Sequence, residues 1–169
     1  MWVNDFDQGD LKDIQITNSL GTGKGWQINS SPPGGLSKSQ PGVLWYGDPS
    51  KGSFDMGATN GKAVTPKILL PSATPSKVTM SILMDTESGG KGSYDDLVVT
   101  LLVGGQMVGI WDKGSGISTN KWYEVDFDLS KYMGQEIQIE FSFNTLDSVG
   151  NSGKGVFVDD LKVLTNCGG

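Results

Sequence analysis

Two stretches of this chain alternate apolar and polar residues one for one, and a period of two admits a single kind of backbone. Val78, Met80, Ile82 and Met84 fall on one side, with Thr79, Ser81, Leu83 and Asp85 on the other. Further on, Ile137, Ile139, Phe141 and Phe143 alternate with Glu136, Gln138, Glu140 and Ser142. Successive side chains of an extended chain point to opposite faces, so each stretch reads as a strand with one face on a core. Leu97, Val99, Leu101 and Val103 repeat the pattern, as do Tyr123, Val125, Phe127 and Leu129 against Trp122, Glu124, Asp126 and Asp128. Residues 106–111 and a last strand with Phe157, Leu161 and Val163 on one face extend the set.

The first 62 residues are richer in turns. Gly21, Gly23, Gly25, the run Pro32-Pro33-Gly34-Gly35 and Gly47-Asp48-Pro49 punctuate short apolar pieces at 14–16, 26–28 and 43–46, read here as short strands. No window carries the period of a long helix; residues 128–132 suit one helical turn capped by Asp128 or Ser130. With 25 Gly in 169 residues, the expected fold is all-β: a two-sheet antiparallel β-sandwich of the jelly-roll kind. It is expected as a single domain over 1–164 with a flexible C-terminal tail at 165–169, where Cys167 has no internal disulfide partner.

Composition removes several functions. The chain has no His and no Arg, 13 Lys and 19 acids, for a formal charge of -6. Imidazole-based catalysis and His metal ligands are excluded, and the basic footprint that nucleic acid requires is missing. The apolar runs are too short to insert in a membrane. The opening Met-Trp-Val-Asn-Asp has no basic region followed by an apolar one, so it reads as the start of a piece cut from a longer protein.

The informative breaks are carboxylates on the apolar parity. Asp159 shares parity with Phe157, Leu161 and Val163, and Asp95 with Leu97, Val99 and Leu101. A buried ionised carboxylate is costly unless paired or coordinated. Arg is absent; Lys91 precedes one position and Lys154 and Lys162 flank the other. A hard cation with oxygen ligands, Ca2+, is the expected partner. Expected ligands are Asp159, Asp160, Asp95, Asp85 and Glu87. Asp5 and Asp7 join them if the first and last strands pair. Asp85 with Glu87, or Asp95 with Asp147, are also candidate pairs for a glycosidase, which places two acids about 5 to 10 Å apart. A chain this short has little loop mass for a shaped cleft, so no enzyme is expected.

Aromatic residues suggest a ligand. A sugar ring presents an apolar C–H face to Trp or Tyr, while Asp, Asn and Gln take its hydroxyls. Trp26 and Trp45 lie in apolar runs and read as core. Trp122 falls on the polar parity of its strand, Trp111 ends a strand beside Asp112, and Tyr46 closes an apolar run; these three are the expected stacking residues.

In order, Leu44-Trp45-Tyr46-Gly47-Asp48-Pro49, Gly52-Ser53-Phe54-Asp55-Met56-Gly57, Met84-Asp85-Thr86-Glu87, Tyr94-Asp95-Asp96-Leu97, Trp111-Asp112 and Val158-Asp159-Asp160-Leu161 resemble MAM-like and immune-inhibitor-A-like jelly-roll accessory domains of secreted bacterial proteins. Galactose-binding-like folds, cleaved-adhesin domains and carbohydrate-binding modules are wider relatives. The resemblance spans about residues 26–164. It implies an extracellular setting, a structural calcium near Asp85, Glu87, Asp95 and Asp159, and a binding role. The expected function is a non-catalytic, calcium-stabilised module of a secreted or cell-surface protein, binding a polysaccharide or glycan. The alternative is a protein-binding, adhesive or structural accessory domain of a secreted peptidase, with a host or cell-surface protein as partner.

Overall fold

The computed structural model describes residues 1–114 and 121–165. Thr165, expected to begin the tail, instead closes the last strand opposite Ser76, while Cys167 and the rest of the expected tail lie outside the described residues. Twelve strands are present among them: β1 (Trp2–Asn4), β2 (Gln15–Asn18), β3 (Gly25–Asn29), β4 (Val43–Gly47), β5 (Asn60–Val64), β6 (Ile68–Leu69), β7 (Ser76–Asp85), β8 (Asp96–Val103), β9 (Gln106–Asp112), β10 (Trp122–Asp128), β11 (Glu136–Asn144) and β12 (Gly155–Thr165). The expected helical turn is a 3-10 turn, Ser130–Tyr132, and Asp128 Oδ1 accepts the Ser130 N–H at 2.9 Å.

The strands form two antiparallel sheets. The first runs β10-β7-β12-β4-β3, with β1 on β12; the second runs β2-β5-β11-β8-β9, with β6 on β11. The fold is the predicted β-sandwich jelly roll. Val78, Met80, Ile82 and Met84 face Ile137, Ile139, Phe141 and Phe143 across a common core, each at most 1% exposed. Aromatic edges knit it: Trp26 meets Tyr46 at 5.5 Å between ring centres, and Tyr46 meets Phe143 at 4.7 Å. Each such pair adds about 0.5–1.5 kcal/mol beyond the burial itself.

The last strand departs from the expected parity. Val156 and Val158 point into the core, and Phe157 and Asp159 point out of the sandwich. A bulge between Asp159 and Lys162, with Asp160 at φ +52°, then returns Leu161 and Val163 to the core. One inserted residue reverses the parity beyond it. Phe157 therefore does not share a face with Leu161 and Val163.

Outward-facing Phe157 is nonetheless buried, in a small cluster with Val43, Trp45 and Leu83 on the outside of the first sheet. Trp45 and Phe157 stack at 6.2 Å, and Leu36 and Trp122 pack against the cluster. Gly47 is needed beneath it, since a Cβ there would stand 2.1 Å from the Trp45 ring. A strap around residues 36–39 closes over this face.

Candidate functional site: the open sheet face

The strap is fixed by Asp159. Its carboxylate accepts the N–H groups of Lys38 (2.8 Å), Ser39 (3.0 Å) and Asp160 (2.7 Å) and the Ser39 hydroxyl (3.2 Å). Lys38 also pairs with Glu124 at 2.8 Å, and Ser81 donates to the same carboxylate. Asp159 is fully buried, as parity indicated, but it sits under the strap and its oxygens are met by amide and hydroxyl donors. That donor set takes over the role assigned to a cation, so burial is no argument for an ion at this carboxylate. Desolvation still dominates its titration and lifts its pKa to about 6. Asp160 pairs with Lys162 at 2.9 Å.

The second buried carboxylate is met differently. Asp95 is fully buried and accepts the Glu87 N–H on Oδ2 at 2.8 Å, while Oδ1 has no hydrogen-bond partner. Burial raises its pKa to about 6. Asp96 Oδ1 and Asn151 Oδ1 are likewise buried and unpartnered. Lys113, 2% exposed, donates to the Glu87 and Tyr94 carbonyls and faces Asp95, Asp96 and Glu87. Desolvation holds its ammonium below the usual lysine range. Sequence reasoning missed Lys113, because its partners lie 26 and 19 residues away.

Of the other expected ligands, Glu87 stays beside Asp95, and Asp85, Asp5 and Asp7 are engaged with backbone amides. Asp85 accepts the Lys154 N–H at 3.0 Å, and Glu87 lies beside Gly150. The first and last strands do pair, Asn4 opposite Leu161. Asp5 and Asp7 are nevertheless engaged elsewhere, Asp5 accepting the Asp7 N–H and Asp7 accepting the N–H of Gly42, 35 residues on. Among the described residues no three Asp, Glu, Cys or His side chains converge as a metal-holding group.

Of the expected stacking residues, Tyr46 is contradicted outright. It is 1% exposed inside the core, with its hydroxyl on Thr59 Oγ1 at 3.0 Å. Its place between Trp26 on one neighbouring strand and Val156 on the other could not be read from a four-residue apolar run. Trp111 lies opposite inward-facing Val99 and packs on the core, half-buried. Trp122 does point outward, and its ring serves the cluster beneath the strap.

The second sheet presents a different outer face. Its registers set side chains in rows across the strands: Thr17, Lys62, Ser142 and Val98; then Gln15, Val64, Glu140 and Thr100; then Gln138, Leu102 and Met107. No strap comparable to that of the first sheet crosses it among the described residues, and Met107 is 67% exposed. At its centre Glu140 is 8% exposed and receives Lys62 Nζ at 2.8 Å. Toward the β8–β9 hairpin the face deepens into a depression of about 640 Å³. Leu102 and Met107 give it apolar surface; Gln106, Gln135 and the Lys67–Glu136 pair (2.7 Å) give it polar groups, and Gln138 lines it with its Nε2 donated to the Thr65 carbonyl at 2.8 Å. Amides beside an apolar surface suit a ligand that carries hydroxyls around a C–H face.

No protein-family model matches the sequence, and no curated protein matches it. The fold has clear structural relatives. TmCBM61, a module solved with β-1,4-galactotriose, is similar at TM-score 0.65 and 12% identity over 96% of this chain and 94% of that one. The K1 cleaved adhesin domain of Lys-gingipain from Porphyromonas gingivalis W83 is similar at TM-score 0.61 and 14% identity, covering 98% of each chain. The CBM22-1 xylan-binding domain of Paenibacillus barcinonensis Xyn10C follows at TM-score 0.52 and 9% identity, over 99% of this chain and 95% of that one. The chain thus shares its jelly-roll sandwich with carbohydrate-binding modules and adhesin domains.

Proposed function

We propose that this protein is a non-catalytic module of a secreted or surface protein that binds a neutral polysaccharide on the outer face of its second sheet. The observation that supports this most is the open face itself, with Gln138, Glu140 and Lys62 beside Leu102 and Met107, on a fold used by carbohydrate-binding modules. Sugar hydroxyls take the amides and the Lys62–Glu140 pair; the ring's C–H face lies on Leu102 and Met107. Affinity electrophoresis in gels containing β-1,4-galactan or xylan tests it: retardation by either glycan is expected, and unretarded migration in both contradicts it.

Calcium belongs to this reading at the Asp95 end alone. What supports it is Asp95 Oδ1, a buried carboxylate oxygen without a donor, the kind of group whose charge a hard cation would offset. Lys113 supplies only one positive charge among Asp95, Asp96 and Glu87. A bound ion would offset their desolvation and stabilise the folded chain by linkage. Chelation by EDTA lowers the melting temperature by several degrees and calcium restores it; an Asp159→Asn variant keeps that response, whereas Asp95→Asn loses it.

A second reading, a protein-binding or adhesive accessory domain of a secreted peptidase, draws on exposed Tyr94, Leu146 and Val149 in loops flanking β8 and β11, 49%, 47% and 68% exposed. Partner capture that survives a charged substitution at Gln138 but not at Val149 favours it.

A further inference from the structure

A second groove, of about 490 Å³, lies at the side of the sandwich where β2 and β3, the edge strands of the two sheets, come together. Leu11, Ile16 and Ile28 give it an apolar lining; Thr17 and Thr22 bring hydroxyls, while Gln27 Nε2 is already donated to the Gly25 and Gly47 carbonyls. None of its lining residues is charged, in a chain with 19 acids and 13 lysines. A lining without charge favours a neutral ligand, since a charged one would be desolvated there without a partner.

At Trp26 the edge is also closed to one obvious occupant. An extended peptide would pair with the outward N–H and C=O groups of an edge strand. The Asn18 side chain already holds both groups of Trp26: the Trp26 N–H donates to Asn18 Oδ1 at 2.9 Å, and Asn18 Nδ2 donates to the Trp26 carbonyl at 3.1 Å. Gly25 makes room for this clip, because a Cβ there would stand 2.4 Å from Asn18 Oδ1. At Trp26 the amide does what a neighbouring strand would do, and recognition falls to the side chains.

Thr17 joins the groove to the open face. It lines the groove and also heads the row Thr17, Lys62, Ser142, Val98 across the second sheet. We propose that the groove is an extension of the glycan site, taking the end of a neutral sugar chain that crosses the open face and passes over β2 at Thr17. This inference rests on the carbohydrate-binding reading and assigns the groove to the same ligand.

Titration calorimetry with tri- and hexasaccharides of β-1,4-galactan and β-1,4-xylan tests it. The wild-type protein is expected to bind one hexasaccharide about tenfold more tightly than its trisaccharide, the factor a few added contacts supply. Thr22→Lys, at an exposed rim position, and Ile28→Ala, on the apolar lining, are each expected to remove that gain and leave trisaccharide affinity in place. The melting temperature of Thr22→Lys should match the wild type, which keeps the test valid if Ile28→Ala loosens the fold. A length gain retained in Thr22→Lys overturns the inference, as does trisaccharide binding with no gain in the wild type; both leave the open-face reading standing. No binding of any of the four sugars by the wild type overturns both.

Discussion

Phe157 and Gln138 both point away from the core of the sandwich, yet one is buried beneath a strap and the other lies on an open face. The difference follows from what surrounds each. Outside the first sheet, Val43, Trp45, Leu83 and Phe157 form an apolar patch, and fully burying each such side chain contributes about 1.5–3 kcal/mol. That gain holds the 36–39 segment against the sheet, with Asp159 giving its amides a fixed acceptor. Outside the second sheet, the corresponding rows hold Gln15, Lys62, Gln138, Glu140 and Ser142, whose polar ends do not reward covering by the chain itself. The covered face contributes stability, and the open face is the one proposed to take a ligand.

Removing the clasp is the most damaging way to break this contrast. Asp159→Ala leaves three part-buried N–H groups without their acceptor and costs about 3 kcal/mol, roughly 10 °C in melting temperature. Thermal unfolding followed by tryptophan fluorescence measures it, since Trp45 lies under the strap; a shift near zero would mean the strap closes without its clasp. On the open face the effect should appear in binding and spare stability. Met107→Ala, at a position 67% exposed, is expected to weaken glycan affinity about tenfold with an unchanged melting temperature.

The two buried carboxylates give a smaller, pH-dependent effect. Asp95 and Asp159 titrate at about 6 in the fold, against about 4 in an unfolded chain. Between these values the folded chain holds the extra protons, so stability increases as pH falls from 7.5 to 5. Asp48 sits at about 2 and Glu124 and Asp128 below their ordinary range, held low by hydrogen bonds; their contribution is lost only at more acidic pH. A melting temperature a few degrees higher at pH 5 than at pH 7.5 is expected. Saturating calcium should halve the rise, by keeping Asp95 ionised while Asp159 still titrates. A melting temperature that falls over the same interval contradicts this. The smallest effect belongs to Trp122→Ala, which trims the covered cluster by about 1 kcal/mol and leaves glycan affinity within about twofold of wild type.

Alternation made the strands and the inward rows of β7, β8 and β11 legible from the residues alone. It also marked Asp95 and Asp159 as buried. For Asp159 the burial followed although the face did not, because the bulge rests on one residue: Asp160 adopts a left-handed backbone that an aspartate tolerates and no periodicity announces. Parity separates inside from outside; it does not say whether an outside row is covered. That depends on a strap from residues more than 100 positions away, as in the Ser39–Asp159 contact. The same blindness hid the open face. Glu136, Gln138, Glu140 and Ser142 were visible as the polar side of β11, but their alignment with Lys62, Thr100 and Leu102 exists only once β5 and β8 are paired to it. Lys113 went unnoticed for a related reason, since nothing in its neighbourhood along the chain places an ammonium beside Asp95 and Asp96.

The most direct test of the central claim is a backbone-amide NMR titration with a β-1,4-galactan or xylan hexasaccharide. Shifts concentrated at Lys62, Leu102, Gln138, Glu140 and Ser142, with Lys38, Ser39 and Phe157 unmoved, are the predicted result. Shifts confined to the strapped face, or none on either sheet, would contradict the account.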